Sequence, residues 1–264
     1  MEQRDAPETV VILCGGKGLR MGGDAGGPPK ALVPIGGMPI LWHVMKIYSS
    51  FGYKHFVLTL GHRGDEIIAF FDRYRRRGGD SAPSPSAVDR GSHSPLPEDE
   101  QQWTVNFLHT GEHTLTGGRL KRAAAHIRGD HFLATYADGL ANVDIPETVQ
   151  RHFDKGLPAT MLAPFTPLRF GIVEANNGVV TRFEEKPPRT VRINGGYFVF
   201  DRSIFERIHR DDDNLETDVL MPLASEGLLG CVEHDGFWQC ADTPKDLIEL
   251  QRIWNEGRPP WKIW

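Results

Sequence analysis

Long apolar runs are the first thing this sequence lacks. No window of its 264 residues approaches the roughly 18 apolar residues that a membrane span requires. It also lacks a basic excess: 30 Lys and Arg stand against 35 Asp and Glu, a formal net charge of −5. A general nucleic-acid binder shows the opposite balance, so that class is set aside, while a small anionic ligand needs only a few local cations. Cysteine is scarce. Cys14, Cys231 and Cys240 form no CxxC pair and no disulfide framework, which points to a reducing compartment. The opening "MEQRDAPET" is charged and has no apolar stretch of signal-peptide length. The absences together predict a cytoplasmic protein with neither a nucleic acid nor a membrane as partner.

What is present is an alternation. Thr9–Leu13 and His55–Leu60 are short and β-rich, whereas Ile40–Phe51 and Gly64–Arg76 carry apolar residues at helical spacing. Trp103–His109, Gly118–Arg128 and His131–Tyr136 repeat the pattern. This predicts an α/β fold: a Rossmann-like, mostly parallel sheet with helices on both faces. After Asp138 the style changes. Ile172–Glu174, "ANNG" and Val179–Glu184 read as a β-hairpin and Tyr197–Phe200 as another strand, an antiparallel elaboration in the second half. Helices are expected over Arg202–Ile208, Val219–Ser225 and Thr243–Glu256. Residues 77–102 are rich in Pro, Ser and Gly and predict a surface loop. The expected organisation is one domain, with halves 1–138 and 139–242 and a closing helix and tail over 243–264.

The stretch "LCGGKGLRMGGDAGGPPKAL" follows the first strand directly. Glycines 15, 16, 18, 22 and 23 allow successive N–H groups to turn toward one concave site, a nest suited to phosphate oxygens. Arg20 and Lys30 add fixed positive charge. Neither well-known phosphate loop fits: GxxxxGK[ST] is absent, and "GKGLRM" lacks the last glycine of GxGxxG. Ligands nonetheless bind beyond the carboxyl ends of parallel strands, which is where this loop falls.

Other polar residues read two ways on their own. Asp138 ends an apolar strand, as a metal carboxylate would, but Asp-Gly is also a common turn. Asp242 or Thr243 suits the cap of the last helix. Lys186 beside Glu184 and Glu185 fits a solvated lysine, and Arg119 and Lys121 fit a solvated helix face. His109 and His113 are four apart, but Thr110 and Gly111 break the helix a zinc pair would need. Trp254, Trp261 and Trp264 fit packing or an interface.

"GGKGLRM…PPKAL" resembles the signature of nucleotidyltransferases that join a sugar 1-phosphate to a nucleoside triphosphate. "TLTGGRLKRAA", "YADGLANVDI", "FEEKP", "INGGYFVF", "GFWQCADT" and "PWKIW" narrow the resemblance to the glucose-1-phosphate cytidylyltransferase family, in order along nearly the whole chain. The resemblance implies an Mg²⁺-dependent enzyme that uses CTP and a hexose 1-phosphate, releases pyrophosphate and assembles as a homo-oligomer. It implies Arg20, Lys30 and Asp138 as catalytic residues. Leu13, Gly15, Gly16, Gly18, Arg20, Lys30, Thr116 and Gly117 would hold the nucleotide. Gly118, Gly171, Glu185, Lys186, Asn194 and Gly195 would hold the sugar phosphate, and Asp138 and Asp242 the metal. "PWKIW" is the expected contact between subunits. Two departures stand out: Leu19 where the family usually has Thr, and Ala137 where it usually has Gly. Same-fold alternatives use UTP, dTTP or GTP, or a modified hexose or heptose phosphate. A non-catalytic nucleotide-sugar sensor is the alternative from another class.

Overall fold

The computed structural model describes residues 6–16, 27–76, 98–166, 170–185 and 191–264. The strand Thr9–Leu13 is buried along its whole length, as a run of four β-branched residues and a leucine in the middle of a covered sheet should be. It pairs in parallel with His55–Leu60 on one side and His131–Tyr136 on the other. Thr104–His109 continues the parallel order at the outer edge. Beyond His131–Tyr136 the sheet turns mixed. Tyr197–Asp201 runs antiparallel between that strand and Ala159–Thr166, which also pairs in parallel with Leu229–His234. Among the described residues eight strands thus form one sheet, counting the two-residue strand Val191–Arg192.

Strand alternation divides the interior in two. Val10 and Ile12 face a cluster with Leu41, Val44 and Ile67 of the helices Ile40–Ser50 and Gly64–Arg76. Val11 and Leu13 face the other, with Leu120 of the helix Thr116–Ala123 and Leu215, Val219 and Leu223 from the second half. Helices therefore cover both faces, as the alternation predicts.

Several bounds differ from the sequence expectation. The helix expected from Gly118 begins at Thr116, ends at Ala123 and tightens into a 3-10 turn over Ala124–His126. Arg202–Arg207 is a 3-10 helix, with Asp201 accepting from the Ser203 N–H at its start. The helix expected over Val219–Ser225 is preceded by a π-helical turn, Leu215–Leu220, and is α-helical only over Met221–Ser225. The segment expected as a loop to residue 102 includes a helical turn, Glu98–Gln101; residues 77–97 lie outside the described residues. Beyond the expected elements, the chain forms a helix over Ile145–Lys155. Asp144 caps it by accepting from Glu147 N–H, and left-handed Gly156 ends it. The hairpin of Ile172–Asn176 and Val179–Glu184 forms its own two-stranded sheet.

The tail folds back onto the helix Ile40–Ser50. Trp261 is fully buried, and its indole packs with His43, Phe237 and Trp254. Trp264 meets the ring of Trp42. The expectation that "PWKIW" makes an intersubunit contact is therefore corrected at Trp261, because that ring is spent inside its own chain. Among the described residues no helix is long and apolar enough to cross a membrane.

Candidate active site

The parallel strands change direction of succession at Thr9–Leu13: the next strand lies on one side, and His131–Tyr136 lies on the other. A crevice opens at the carboxyl ends of such a pair. Here it holds a cavity of about 560 Å³ lined by Leu13, Gly15, Gly16, Lys30, Thr116 and Asp138, among others. A second cavity of about 180 Å³ is lined by Asn194, Gly195, Gly196 and Trp238. The two share Tyr136, Asp138 and Asp242 as a common wall.

The aspartates meet because a short antiparallel ribbon joins distant parts of the chain. Gly139–Ala141 pairs with Trp238–Cys240, and Ala241 N–H donates to the Asp138 carbonyl. Asp138 and Asp242 therefore leave the same end of the ribbon. The alternative of Asp242 as a helix cap fails. Thr243 caps Pro244–Asn255, in a reciprocal box with Asp246. Lys30, held in a turn directly after Pro29, places its ammonium against both carboxylates. Burial disfavours that charge, but Asp138 and then Asp242 outweigh it, so the Lys30 pKa is raised. Cys240, half-buried beside Asp242 and Asp138, is pushed up to about 11 by desolvation and those carboxylates and remains a neutral thiol at neutral pH.

Arg119 was open to reading as a solvated residue; it is only 4% exposed. Its guanidinium donates to the carbonyls of Gly15 (3.1 Å), Leu60 (3.1 Å) and Glu112 (3.4 Å) and to the Thr110 hydroxyl (2.5 Å). One side chain thus ties the loops after three neighbouring strands. None of these four acceptors is a carboxylate, so none of them neutralises the guanidinium charge. Burial lowers the Arg119 pKa from a very high starting value. Gly15 is required beneath it, because a Cβ there would lie 2.1 Å from the guanidinium carbon. The sequence offered one faint signal for Arg119, its place in the first turn of a helix that opens on Thr-Gly-Gly.

In the smaller cavity Asn194 accepts from Gly196 N–H, which turns its oxygen toward the backbone and leaves its amide nitrogen to donate. Gly195 packs where a Cβ would lie 2.7 Å from Pro164, and its carbonyl accepts from the Trp238 indole. Gly117 and Gly118 line neither cavity. Both donate to the Asp213 carbonyl, and a Cβ on Gly118 would lie 2.2 Å from Asp211 O. Gly171 and Glu185 adjoin each other at the hairpin base and also line neither cavity. Gly18, Arg20 and Lys186 lie outside the described residues.

A family model described as Nucleotidyl transferase matches residues 9–256. The chain belongs to the nucleotidyl transferase family. Within it, the chain is 41% identical over 257 residues to the glucose-1-phosphate cytidylyltransferase of Salmonella typhimurium, covering 97% of this chain and 99% of that one. It is 26% identical to the mannose-1-phosphate guanylyltransferase catalytic subunit beta of Xenopus tropicalis, over 96% of this chain and 67% of that protein. The crystal structure of HddC from Yersinia pseudotuberculosis shares the fold, with a TM-score of 0.69 at 22% identity over 94% of this chain and 99% of that one. This nucleotidyltransferase therefore matches its cytidylyltransferase relatives from end to end, and its substrates are a nucleotide and a sugar phosphate.

Proposed function

We propose that the enzyme transfers a cytidylyl group from CTP to glucose 1-phosphate, giving CDP-glucose and pyrophosphate. The observation that carries this reading is the shared wall. A larger and a smaller cavity meet at two carboxylates, with Lys30 between them. In the reaction an oxygen of the sugar phosphate attacks the α-phosphorus, and the bond to the β-phosphate oxygen breaks as pyrophosphate leaves. Both reactants are anions, so alignment and charge compensation carry the catalysis.

The larger cavity suits the nucleotide. Gly15 and Gly16 expose backbone, Lys30 supplies a movable charge, and Arg119 supplies a fixed one. The smaller cavity suits the sugar, with Asn194 and Gly195 on its wall. The donor set fits Mg²⁺, since two hard carboxylate oxygens converge on one cation position and phosphates complete such a shell. No cluster of three or more His, Cys, Asp or Glu that could cage a metal occurs among the described residues. When bound, the metal screens the phosphate charge; Asp138 and Asp242 would hold it. Arg20, Lys186 and Gly18 keep the phosphate and nucleotide roles implied by the sequence resemblance, whereas Gly117 and Gly118, outside both cavities, act through their close packing behind Thr116. Gly171 and Glu185 keep theirs as sugar contacts. A cytoplasmic homo-oligomer is part of the same reading.

Pyrophosphate release with glucose 1-phosphate and Mg²⁺, in parallel with CTP, UTP, dTTP, GTP and ATP, tests it. CTP should lead, and Lys30→Ala should cut turnover by roughly 10³-fold, the scale of removing one aimed charge. Release led by GTP would move the assignment toward the guanylyltransferase relative. Silence across a panel of sugar phosphates would overturn the enzymatic reading.

A further inference from the structure

The wall between the cavities contains a hydroxyl whose direction is set from a distant part of the chain. Tyr136 lines both cavities, and its Oη donates to Glu216 Oε1. Thr116 Oγ1 donates to the other oxygen of the same carboxylate at 3.1 Å, while accepting from Leu215 N–H at 2.9 Å. Thr116 is thus occupied as both donor and acceptor. Tyr136 has given its only proton to Glu216, so only its oxygen lone pairs remain for a ligand. Donation to a carboxylate is charge-assisted, and it enriches the phenolic oxygen as an acceptor.

The arrangement is held from several sides. Glu216 lies on the π-helical turn Leu215–Leu220, an irregularity often found at functional positions. Asn214 fixes the start of that turn by accepting from Glu216 N–H (2.9 Å) and Thr217 N–H (3.1 Å). The Tyr136 ring stands edge-on to Phe198 at 5.8 Å. Its other flank meets Gly196, where φ is +75° and a Cβ would lie 2.6 Å from the ring. Ring and proton are therefore both committed before any substrate arrives.

We propose that Tyr136 is a specificity-determining residue that accepts a hydrogen bond from a donor group of the substrate, and that Glu216 positions it by holding its proton away. This rests on the nucleotidyl-transfer reading. The donor chemistry is shared by a sugar hydroxyl in the smaller cavity and by an amino or hydroxyl group of the nucleotide in the larger one. A ligand presenting only an acceptor at that point meets lone pairs and is rejected.

The test compares wild type, Tyr136→Phe and Glu216→Gln using glucose 1-phosphate, its monodeoxyfluoro analogues, CTP and UTP. Fluorine accepts weakly and cannot donate, and uracil carries an oxygen where cytosine carries an amine. Tyr136→Phe should raise KM for one of the two substrates about tenfold with kcat within about threefold, the pattern of lost uniform binding. In Glu216→Gln the amide can donate to the phenolic oxygen and free its proton. Discrimination against one fluorinated sugar, or against UTP, should then shrink at least about fivefold. A shift in the sugar series assigns the contact to a sugar hydroxyl, and a shift in the CTP-to-UTP ratio assigns it to the base. If both variants melt like wild type and neither series moves by more than about twofold, the inference is overturned. Should Glu216→Gln fail to fold, Tyr136→Phe decides alone, since its ring packing is unchanged. Should wild type turn nothing over, the functional reading fails separately. Calorimetric binding of the same sugar phosphates and nucleotides to wild type and Tyr136→Phe then decides this inference by itself, on the same fold-changes.

Discussion

The loops after Thr9–Leu13, His55–Leu60 and Thr104–His109 and the hairpin of residues 172–184 are held in opposite ways. Arg119 is bonded at the start of each loop, through Gly15, Leu60, Thr110 and Glu112. The hairpin presents Phe183, 64% exposed, directly across from Val173. Near them Arg182 reaches Glu174 at 3.1 Å and Glu184 at 2.9 Å, both exposed pairs. Such surface pairs are worth little each. The difference shows where geometry is enforced. The backbone at the strand tips is fixed by buried bonds to carbonyls, and the hairpin by its own ladder and exposed ion pairs.

The sharpest way to break this contrast is Gly15→Ala. The new methyl must displace a guanidinium that is bonded on several sides, at a cost of about 3–4 kcal/mol by overpacking and lost buried hydrogen bonds. Turnover should fall by two orders of magnitude or more, and the denaturation midpoint with it. Gly16→Ala is the control next door. Among the described residues no atom lies within 4 Å of its added Cβ, so its midpoint should match wild type. Equal midpoints for the two variants would mean that Arg119 does not brace the loop.

Acid probes the buried side at a second place. His43 donates from Nε2 to the Ile35 carbonyl at 2.8 Å and faces the Trp261 indole N–H with Nδ1 at 3.5 Å, so the neutral ring suits both. Burial first, and the Lys262 charge second, lower its pKa to about 4. The unfolded chain, with an ordinary imidazole near 6.5, then binds more protons between those two values. The stabilisation is complete above about pH 6.5 and is lost as pH falls toward 4, up to about 3 kcal/mol. Denaturant melts near pH 7 and at about pH 4.5 check it, with His43→Gln expected to flatten the slope. The smallest effect belongs to the hairpin. Phe183→Ser should leave stability within about 0.5 kcal/mol, as exposed positions do. A loss above about 1 kcal/mol would mean that the ring is covered in solution.

Much of the molecule was legible along the chain because its signals are local. Thr9–Ile12 is an unbroken β-branched run, Lys30 stands behind two prolines, and Asp138 follows an apolar strand. Asp242 was legible by resemblance, and the ribbon that brings it to Asp138 was not, since three-residue strands carry no period. The helix Ile145–Lys155 had readable punctuation in Asp144 and Gly156 that its polar surface obscured. Arg119 defeated the pattern for a physical reason. A charged residue in a Gly-rich first turn looks solvated until three separate strand tips supply carbonyls around it. Tyr136 and Glu216 are 80 residues apart, and no periodicity links a strand end to a π-helical turn.

The closing helix has a mechanical consequence. Pro244–Asn255 starts two residues after Asp242 and ends six before Trp261, whose ring is locked under the helix Ile40–Ser50. The carboxylate in the cleft and the tryptophan in the core therefore sit near opposite ends of one stiff rod. Twelve residues make about 18 Å of it, so a tilt of about 3° at the tryptophan end swings the other by about 1 Å. Displacements of that size are large on the scale of reacting groups. Packing at Trp261 is thus the footing of the rod that carries Asp242 beyond its other end.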